Sequence, residues 1–381
     1  MKKEVYLDHA ATTEVWPEVK AAMEPYLTDM YGNASTAYGL GTDARKALEQ
    51  AREVIADIIA AKPEEIYFTS GGSESDNWAI KSLAGAGKYW GRHIITSQIE
   101  HHAVLNSCKY LEGLGYDITY LGVDREGIID MNQLYQCITP YTTLITVMAA
   151  NNEIGTIQPI AEIGAVARAH HIPFHTDAVQ AVGQLPISVK NLPVDCLSAS
   201  AHKFHGPKGV GFLYVNQALS IPAFIHGGSQ ERGKRAGTEN VAGIVGMAKA
   251  LQMAEWQRRK KTKNLERLRD YFIARIRAEC GDVMVNGHLS KRLPGNVNVS
   301  FGGVEGAALL VLLEEEGNCA SAGSACNTGE ARYSHVIQAL RVPKEYAPGT
   351  IRFSLWAENT KEEIDYVVKC LCNDVELLRQ I

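Results

Sequence analysis

The sequence has no long apolar run and no large excess of charge of one sign. A helix that spans a membrane needs about 20 consecutive apolar residues, and no stretch of the 381 residues approaches that length. The net charge of −5 gives no reason to expect nucleic acid or an anionic membrane as a partner. The first residues, MKKEVYLDHAATTEVW, contain no apolar segment, so we expect no signal peptide and a cytoplasmic location.

The usual patterns of metal and nucleotide binding are also missing. The eight cysteines are scattered without paired CxxC elements, no HExxH sequence occurs, and a Walker A sequence is absent. We therefore expect no metal site and no P-loop. In a large chain without a secretion signal a disulfide framework is unexpected, and most of the cysteines are expected to be small buried hydrophobic residues.

Strand-like and helix-like segments alternate along the first two thirds of the chain. Apolar segments typical of strands occur at EEIYFTS, HIITSQ, DITYLGV, TTLITVMAAN, IPFHTDA, CLSAS and GVGFLYV. Continuous apolar strands that alternate with helices favour a mostly parallel sheet covered on both faces, here up to about residue 255. A charged helical stretch and the strands NVNVSF and TIRFSLW follow, and they predict a smaller α+β domain.

A glycine turn in FTSGGSESDNWAI links a predicted strand to a predicted helix. Gly71, Gly72 and Ser73 offer bare backbone N–H groups at the positive end of that helix, which suits a phosphate. The turn is equally compatible with a plain helix start, in which Ser73 is the N-cap and Asp76 lies near the capping-box position. The motif alone leaves both interpretations open.

Three more polar groups follow predicted strands. Asp177 and Gln180, in FHTDAVQAVG, lie at the ligand-binding edge of an open sheet, where the acid could fix a protonated ring nitrogen or cap a helix. Asn152, in MAANNEIG, could bind a ligand oxygen or serve turn chemistry. His101, in SQIEHHAV, could stack on a ring, move a proton or begin a helix.

Lys203 lies in SASAHKFHGPKG, directly after the predicted strand CLSAS. A solvated loop lysine would account for it in isolation, but the turns above bring a phosphate cradle, an acid, an amide and a histidine to the same edge. Pyridoxal 5′-phosphate (PLP) uses all of these, because it needs a lysine for its Schiff base, an acid beside its ring nitrogen and a phosphate site. The combination therefore predicts a PLP site at the carboxyl ends of the strands.

Two further residues have candidate roles near the end of the chain. Cys326 lies in CASAGSACNTGEARYS, whose small residues permit a mobile loop, and its thiolate would be a strong nucleophile. Cys319, earlier in the same segment, is expected to be structural. Arg352, in TIRFSL, is either a salt-bridged strand residue or a clamp for a substrate carboxylate.

Together these motifs resemble the cysteine desulfurases of the NifS/IscS type, in the class V aminotransferase family of fold-type I PLP enzymes. The likeness runs from YLDHAATT at residues 6–13 to IRFSL at residues 351–355, through TSGGSESDN, EHHAV, NNEIG, HTDAVQ, SAHKFHGPKG, HGGSQERGKRAGTEN and GSAC. It implies an α/β fold with a mostly parallel seven-stranded sheet in a large PLP-binding domain over residues 15–257. It also implies a small α+β domain, from residues 1–14 and 258–381, that carries the catalytic-cysteine loop.

The resemblance assigns the central chemistry to a few side chains. It implies that Lys203 forms the Schiff base with the cofactor and that His101 stacks on the ring and assists proton transfer. Asp177 is implied to contact the ring nitrogen and Gln180 the phenolic oxygen. Cys326 is implied to take the sulfur.

Other contacts are implied for the phosphate and the substrate. The residues implied to hold the phosphate within one subunit are Gly72, Ser73, Ser200 and His202. Thr238, in RAGTEN, is implied to reach the phosphate of the neighbouring subunit, so that a homodimer shares its active sites. Asn152, which is also expected at the cofactor, and Arg352 are implied to bind the substrate carboxylate.

The implied reaction removes sulfur from L-cysteine and gives L-alanine and a persulfide on Cys326, which then passes to an acceptor protein. Iron–sulfur cluster assembly, tRNA thiolation and other thiolation pathways stay open as destinations. A selenocysteine lyase or another class V aminotransferase-type enzyme is the alternative, and a transaminase would not need Cys326. A third interpretation, a PLP-fold chain that serves as a binding scaffold, is disfavoured by the intact Lys203, Asp177 and His101.

Overall fold

The computed structural model describes residues 4–87, 91–322 and 333–380. Its strands are β1 (Val5–Tyr6), β2 (Ile66–Thr69), β3 (His93–Ser97), β4 (Asp117–Leu121), β5 (Thr142–Thr146), β6 (Phe174–Asp177), β7 (Cys196–Ser200), β8 (Gly211–Val215), β9 (Val283–Val285), β10 (Asn296–Phe301), β11 (Asn318–Cys319) and β12 (Thr350–Ser354). Its helices are α1 (Pro17–Met23), α2 (Pro25–Thr28), α3 (Gly39–Ile59), α4 (Gly72–Gly87), α5 (His102–Glu112), α6 (Met131–Cys137), α7 (Ile160–Ala169), α8 (Val241–Glu279), α9 (Gly306–Glu315), α10 (His335–Ala339) and α11 (Lys361–Arg379).

The largest sheet has seven strands in the order β2-β8-β7-β6-β5-β3-β4. All neighbouring strands from β7 to β4 are parallel, whereas β8 is antiparallel to both β2 and β7. The strands β3, β5, β7 and β8 are buried along their whole length, as expected for a sheet that helices cover on both faces. The predicted α/β fold with a mostly parallel seven-stranded sheet is confirmed.

A second sheet, with the order β12-β10-β9, is antiparallel. Its apolar side chains form one hydrophobic cluster with α11 and with the last turns of α8, including Phe272 and Phe353, whose ring centroids are 5.1 Å apart. The first turns of α8 belong instead to the cluster of the large sheet, through Met247 and Leu251. One 39-residue helix therefore connects the two cores. The division into residues 15–257 and residues 1–14 with 258–381 stays a prediction, and its boundary falls inside this helix.

A short segment near the start of the chain, residues 7–13, passes between the two sheets, and we call it the N-terminal strap. Just before it, β1 pairs in parallel with β11. Within it, Asp8 forms a β-bridge with Ser354 at the end of β12. At its other end the Thr13 N–H donates to the His202 carbonyl at 2.9 Å, next to Lys203. The N-terminal strap therefore joins the small sheet to the turn that carries the predicted catalytic lysine.

Some local expectations need correction. The apolar run TTLITVMAAN forms a strand only over β5. Beyond the end of β5, the Val147 and Ala149 N–H groups still donate to backbone carbonyls of β6. Cys280 and Cys372 form a disulfide, because α8 and α11 bring the two residues together. The scattered cysteine pattern did not predict this bond. In the described part of the chain, no helix has the length and apolar character needed to cross a membrane.

Candidate active site

A cavity of about 310 Å³ opens at the carboxyl ends of the parallel strands. The predicted site residues that line it are Gly72, Ser73, His101, Asn152, Asp177, Gln180, Ser200, His202, Lys203 and Arg352. Most of them follow different strands of one sheet, and parallel strands deliver their carboxyl ends to the same edge. Arg352 comes from β12 of the small sheet, so the cavity lies between the two cores.

The glycine turn before α4 has the geometry of an anion site. Gly71 has φ of +147°, a conformation that glycine adopts most readily, and a Cβ there would point to within 3.5 Å of the Ser200 hydroxyl. The first N–H groups of a helix have no partner inside the helix, and their dipoles favour a negative group. The helix begins at Gly72, one residue before Ser73, so the suggested N-cap role of Ser73 is wrong.

Lys203 lies in a single helical turn directly after β7. Its Nζ donates hydrogen bonds to the carbonyl oxygens of Ala10 at 2.6 Å and Ala11 at 2.7 Å, both in the N-terminal strap. Burial, together with the charge of Arg352, lowers the pKa of Lys203 to about 8, although Asp8 and Asp177 oppose the shift. A larger fraction of this amine is neutral near physiological pH than of an ordinary lysine, which suits a nucleophile or base.

Asp177 is the last residue of β6 and its carboxylate is buried. One oxygen accepts the Val179 N–H at 2.9 Å. Burial raises the pKa of Asp177, whereas the nearby His101 and Lys203 lower it, so a cationic group in the cavity favours its ionised form. Gln180 donates through Nε2 to the Ala10 carbonyl at 3.0 Å, and its Oε1 is buried with no hydrogen-bond partner in the described residues.

His101 is the N-cap of α5, and its ring is exposed at the cavity. Its Nδ1 accepts the Ala103 N–H at 3.1 Å. Because that nitrogen accepts, the neutral ring carries its proton on Nε2. The preceding residue, Glu100, is fully buried, accepts from the Ser97 hydroxyl at 2.6 Å, and has its pKa raised to about 8 by burial.

His202 and Ser200 flank the lysine on the side of the glycine turn. Burial lowers the pKa of His202 to about 4, and the charges of Lys203 and Lys208 add to the shift, so the ring is neutral at pH 7. The His202 Nδ1 lies 3.2 Å from the Thr12 hydroxyl of the N-terminal strap. A neutral imidazole beside a helix start can donate a hydrogen bond to an anion without adding charge.

Arg352 is buried and its guanidinium is held at both terminal nitrogens. Nη1 donates to the Asn152 carbonyl at 3.0 Å, and Nη2 donates to Asp8 Oδ1 at 2.7 Å. The Nε atom is buried with no hydrogen-bond partner among the residues that the structure describes. The salt-bridge interpretation and the carboxylate-clamp interpretation are therefore compatible, because Asp8 uses only part of the guanidinium.

Residues with no predicted binding or catalytic role also line the cavity. They are Ala10, Ala11, Asp76, His102, Met148, Ala150, Glu153, Val179 and His335. Ala10 and Ala11 act through backbone carbonyls, which no side-chain pattern reveals, although they fall in the quoted motif YLDHAATT. His335 begins α10, its ring lies 4.9 Å from that of His102, and its Nε2 lies 3.0 Å from the Glu100 carbonyl.

Two predicted residues are not placed at this cavity. Thr238 is exposed and does not line it. The loop before Thr238 is fixed to the large domain, because Glu231 accepts from both Arg52 and the Phe68 N–H, and Arg235 binds Glu74 through two hydrogen bonds. Cys326 lies in residues 323–332, outside the described residues.

The chain is similar to known proteins over nearly its whole length. The model of the family described as Aminotransferase class-V matches residues 5–367. The cysteine desulfurase IscS of Dictyoglomus turgidum is 52% identical over 381 residues, which cover 100% of this chain and 97% of that protein. The solved structure of a NifS-like protein superposes with a TM-score of 0.92 at 38% identity and 100% coverage of both chains.

A further solved structure, described as SspA in complex with cysteine, has a TM-score of 0.82 and 39% identity, and covers 94% of this chain and 100% of that one. The fold is that of the fold-type I PLP enzymes. The chain belongs to the class V aminotransferase family, and within it to the cysteine desulfurases of the NifS/IscS type, as its motifs predicted.

Proposed function

We propose that the protein binds PLP in this cavity and uses it to transfer the sulfur of L-cysteine to Cys326, releasing L-alanine. The observation that carries the proposal is the state of Lys203. Its amine is partly buried, its pKa is lowered to about 8, and it shares one cavity with an acid and a helix start. An ordinary surface lysine has none of these properties.

The residues present fit the cofactor. The helix start at Gly72 and Ser73, with Ser200 and His202 beside it, offers donors without an excess of positive charge, which suits a phosphate. Asp177 would face the ring nitrogen. The Oε1 atom of Gln180 has no hydrogen-bond partner in the described residues, so it can still accept a hydrogen bond in the cavity. When bound, PLP supplies an electron sink for the negative charge that develops at the substrate carbon.

The protein's own groups then have distinct tasks. The Lys203 amine captures the cofactor and takes the proton from the substrate Cα, a role that its lowered pKa supports. His101 presents an Nε2–H to the cavity because its Nδ1 is occupied by Ala103. Arg352 and Asn152 hold the carboxylate of the substrate, which orients the Cα–H bond toward the lysine.

Sulfur transfer itself needs a nucleophilic thiolate. We assign it to Cys326: its thiolate attacks the sulfur of the substrate, an S–S bond forms, and the C–S bond breaks with its electron pair on the carbon fragment. That fragment takes up protons and leaves as L-alanine, and the second sulfur remains on Cys326 as a persulfide. We expect a persulfide-accepting protein to collect it for iron–sulfur cluster assembly or for thiolation.

Two further expectations concern the assembly and its place in the cell. The exposure of Thr238 on a loop anchored by Arg52–Glu231 and Glu74–Arg235 supports a role of Thr238 at the phosphate of a neighbouring subunit, in a homodimer with shared sites. The cytoplasmic location that the composition suggests stays a prediction.

The central experiment tests Cys326. The holoenzyme is incubated with L-cysteine, and persulfide is located by mass spectrometry after thiol alkylation, in the wild type, in Cys326→Ala and in Cys319→Ala as the matched control. We expect the persulfide on Cys326 in the wild type and in Cys319→Ala, and neither persulfide nor L-alanine formation above background in Cys326→Ala. Persulfide formation in Cys326→Ala would contradict the assignment.

A further inference from the structure

Arg352 forms an ion pair with Asp8, a residue for which no role at the site was predicted. Asp8 Oδ1 accepts from Nη2 at 2.7 Å, and the two side chains keep only 18% and 5% of their accessible surface respectively. A surface ion pair of this kind would contribute little, but a largely buried one fixes geometry because few alternatives exist for either group. The position of Asp8 beside the proposed substrate clamp therefore needs a reason.

The guanidinium of Arg352 is held at two points by two different segments of the chain. Nη1 is held by the Asn152 carbonyl, which follows β5 of the large sheet, and Nη2 is held by Asp8 of the N-terminal strap. A planar guanidinium held at both terminal nitrogens cannot turn about the Cγ–Cδ and Cδ–Nε bonds of its side chain, so the orientation of its plane is set. The buried Nε, which has no partner in the described residues, is then kept in a constant orientation.

We propose that Asp8 is a positioning residue that holds the Arg352 guanidinium in the orientation needed to receive the carboxylate of the amino-acid substrate. The inference rests on the proposed role of Arg352 as that clamp. A carboxylate accepts two parallel hydrogen bonds from a guanidinium only when the carboxylate plane and the guanidinium plane are aligned. Asp8 thus acts through Arg352 and need not touch the substrate.

A purely structural role for Asp8 is disfavoured by the other contacts of the N-terminal strap. The strap is joined to β12 by bonds that do not use the Asp8 side chain: the Ala10 N–H donates to the Ser354 hydroxyl at 2.8 Å, and the Ser354 N–H donates to the Leu7 carbonyl at 2.7 Å. These bonds remain when the Asp8 carboxylate is removed. Ser354 therefore offers a matched control that loosens the strap without touching Arg352.

The test compares Asp8→Ala, Asp8→Asn and Ser354→Ala holoenzymes. For each we measure KM and kcat with L-cysteine, and the equilibrium binding of L-alanine and of ethylamine through the absorbance change of the cofactor. L-alanine has the carboxylate that Arg352 would bind, whereas ethylamine has the same amine without it. The difference between the two probes isolates the carboxylate contact from general damage to the site.

We expect Asp8→Ala to raise KM for L-cysteine and to weaken L-alanine binding by about tenfold or more, with ethylamine binding unchanged, since a hydrogen bond to a charged group has gone. Asp8→Asn keeps an oxygen that can accept from Nη2, so its effect should be smaller. Ser354→Ala should leave the ratio of L-alanine to ethylamine affinity at the wild-type value.

Two outcomes would overturn the inference. Wild-type affinity for L-alanine in Asp8→Ala would show that Arg352 needs no positioning by Asp8. Equal weakening of L-alanine and ethylamine would show that Asp8 only supports the fold. Measurements on Arg352→Ala in parallel separate the two proposals. Unchanged L-alanine binding in Arg352→Ala would contradict the clamp role of Arg352. Weaker L-alanine binding in Arg352→Ala but not in Asp8→Ala would contradict only the role of Asp8.

Discussion

The cavity contains two cations that the protein surrounds in opposite ways. On the side of the large sheet, Lys203 is held by the uncharged carbonyls of Ala10 and Ala11, and burial lowers its pKa to about 8. On the side of the small sheet, Arg352 is held by the Asp8 carboxylate. The lysine is placed where losing its proton is easy, and the arginine where its charge is matched.

This difference follows the chemistry of the two groups. An ammonium that must become a nucleophile or base has to lose its proton. Desolvation and the absence of a strong anionic partner both destabilise its charged form and so favour that loss. A guanidinium stays charged at any accessible pH, so a carboxylate beside it serves orientation rather than protonation. The lysine side of the cavity is thus arranged for reaction, and the arginine side for recognition.

The largest effect is expected on the reactive side. Lys203→Ala should abolish the absorbance band near ~420 nm after loading with PLP and removal of unbound cofactor, since a Schiff base of the cofactor gives that band and Lys203 is the amine proposed to form it. Desulfurase activity should fall by about a thousandfold or more, because the base is lost together with the covalent link. Absorbance spectra and L-alanine formation measure the two losses.

The control for this variant is Lys190→Ala, which removes an exposed lysine. It should keep both the band and the activity of the wild type. A band near ~420 nm that survives in Lys203→Ala would mean that another amine captures the cofactor, and the contrast between the two cations would lose its basis.

A smaller and different effect is expected on the recognition side. Arg352→Ala should keep the cofactor band, because Arg352 contacts the proposed substrate position and not the proposed phosphate or ring-nitrogen contacts. KM for L-cysteine should rise about 30-fold or more, as expected when one partner of a buried charged hydrogen bond is removed. Steady-state kinetics and spectra of the same preparation measure both properties, and loss of the band in this variant would contradict the division of roles.

The smallest effect is a pH dependence. The neutral amine of Lys203 is the form that attacks the aldehyde, and its fraction reaches one half at the pKa of about 8 and approaches one above it. The rate constant for PLP capture by cofactor-free protein should therefore rise steeply below the pKa of about 8, reach half its maximum there and level off above about pH 9, whereas with an unshifted lysine it would still rise steeply toward about 10.5. Stopped-flow absorbance measures this rate constant. A rise that continues through pH 10 would show that burial does not shift this lysine.

Much of the site was predictable because it depends on parallel strands. Asp177, Asn152, His101 and Lys203 each follow an apolar strand in the sequence, and parallel order brings such positions to one edge without further information. The seven-stranded sheet followed from the same alternation of strands and helices. The local sequence pattern was therefore sufficient to predict those site residues that lie at the end of a single strand.

The contacts that cross between distant segments could not be predicted in this way. Asp8 and Arg352 are 344 residues apart in the sequence, and no periodicity links them. The carbonyls of Ala10 and Ala11 carry no side-chain signature, and the disulfide between Cys280 and Cys372 depends on the packing of two helices. The helix start at Gly72 rather than Ser73 reflects a glycine turn whose conformation, with φ of +147° at Gly71, is set by tertiary structure.

The N-terminal strap has a consequence for the order of events at the ribosome. Residues 7–13 are synthesised long before their partners on β12, 344 residues further along the chain, so the strap has no small-sheet partner until β12 has been made. Lys203, Asp177 and the glycine turn are available long before then. If Arg352 binds the substrate carboxylate as proposed, a nascent chain can bind an amino acid at this site only after residue 352 has been synthesised.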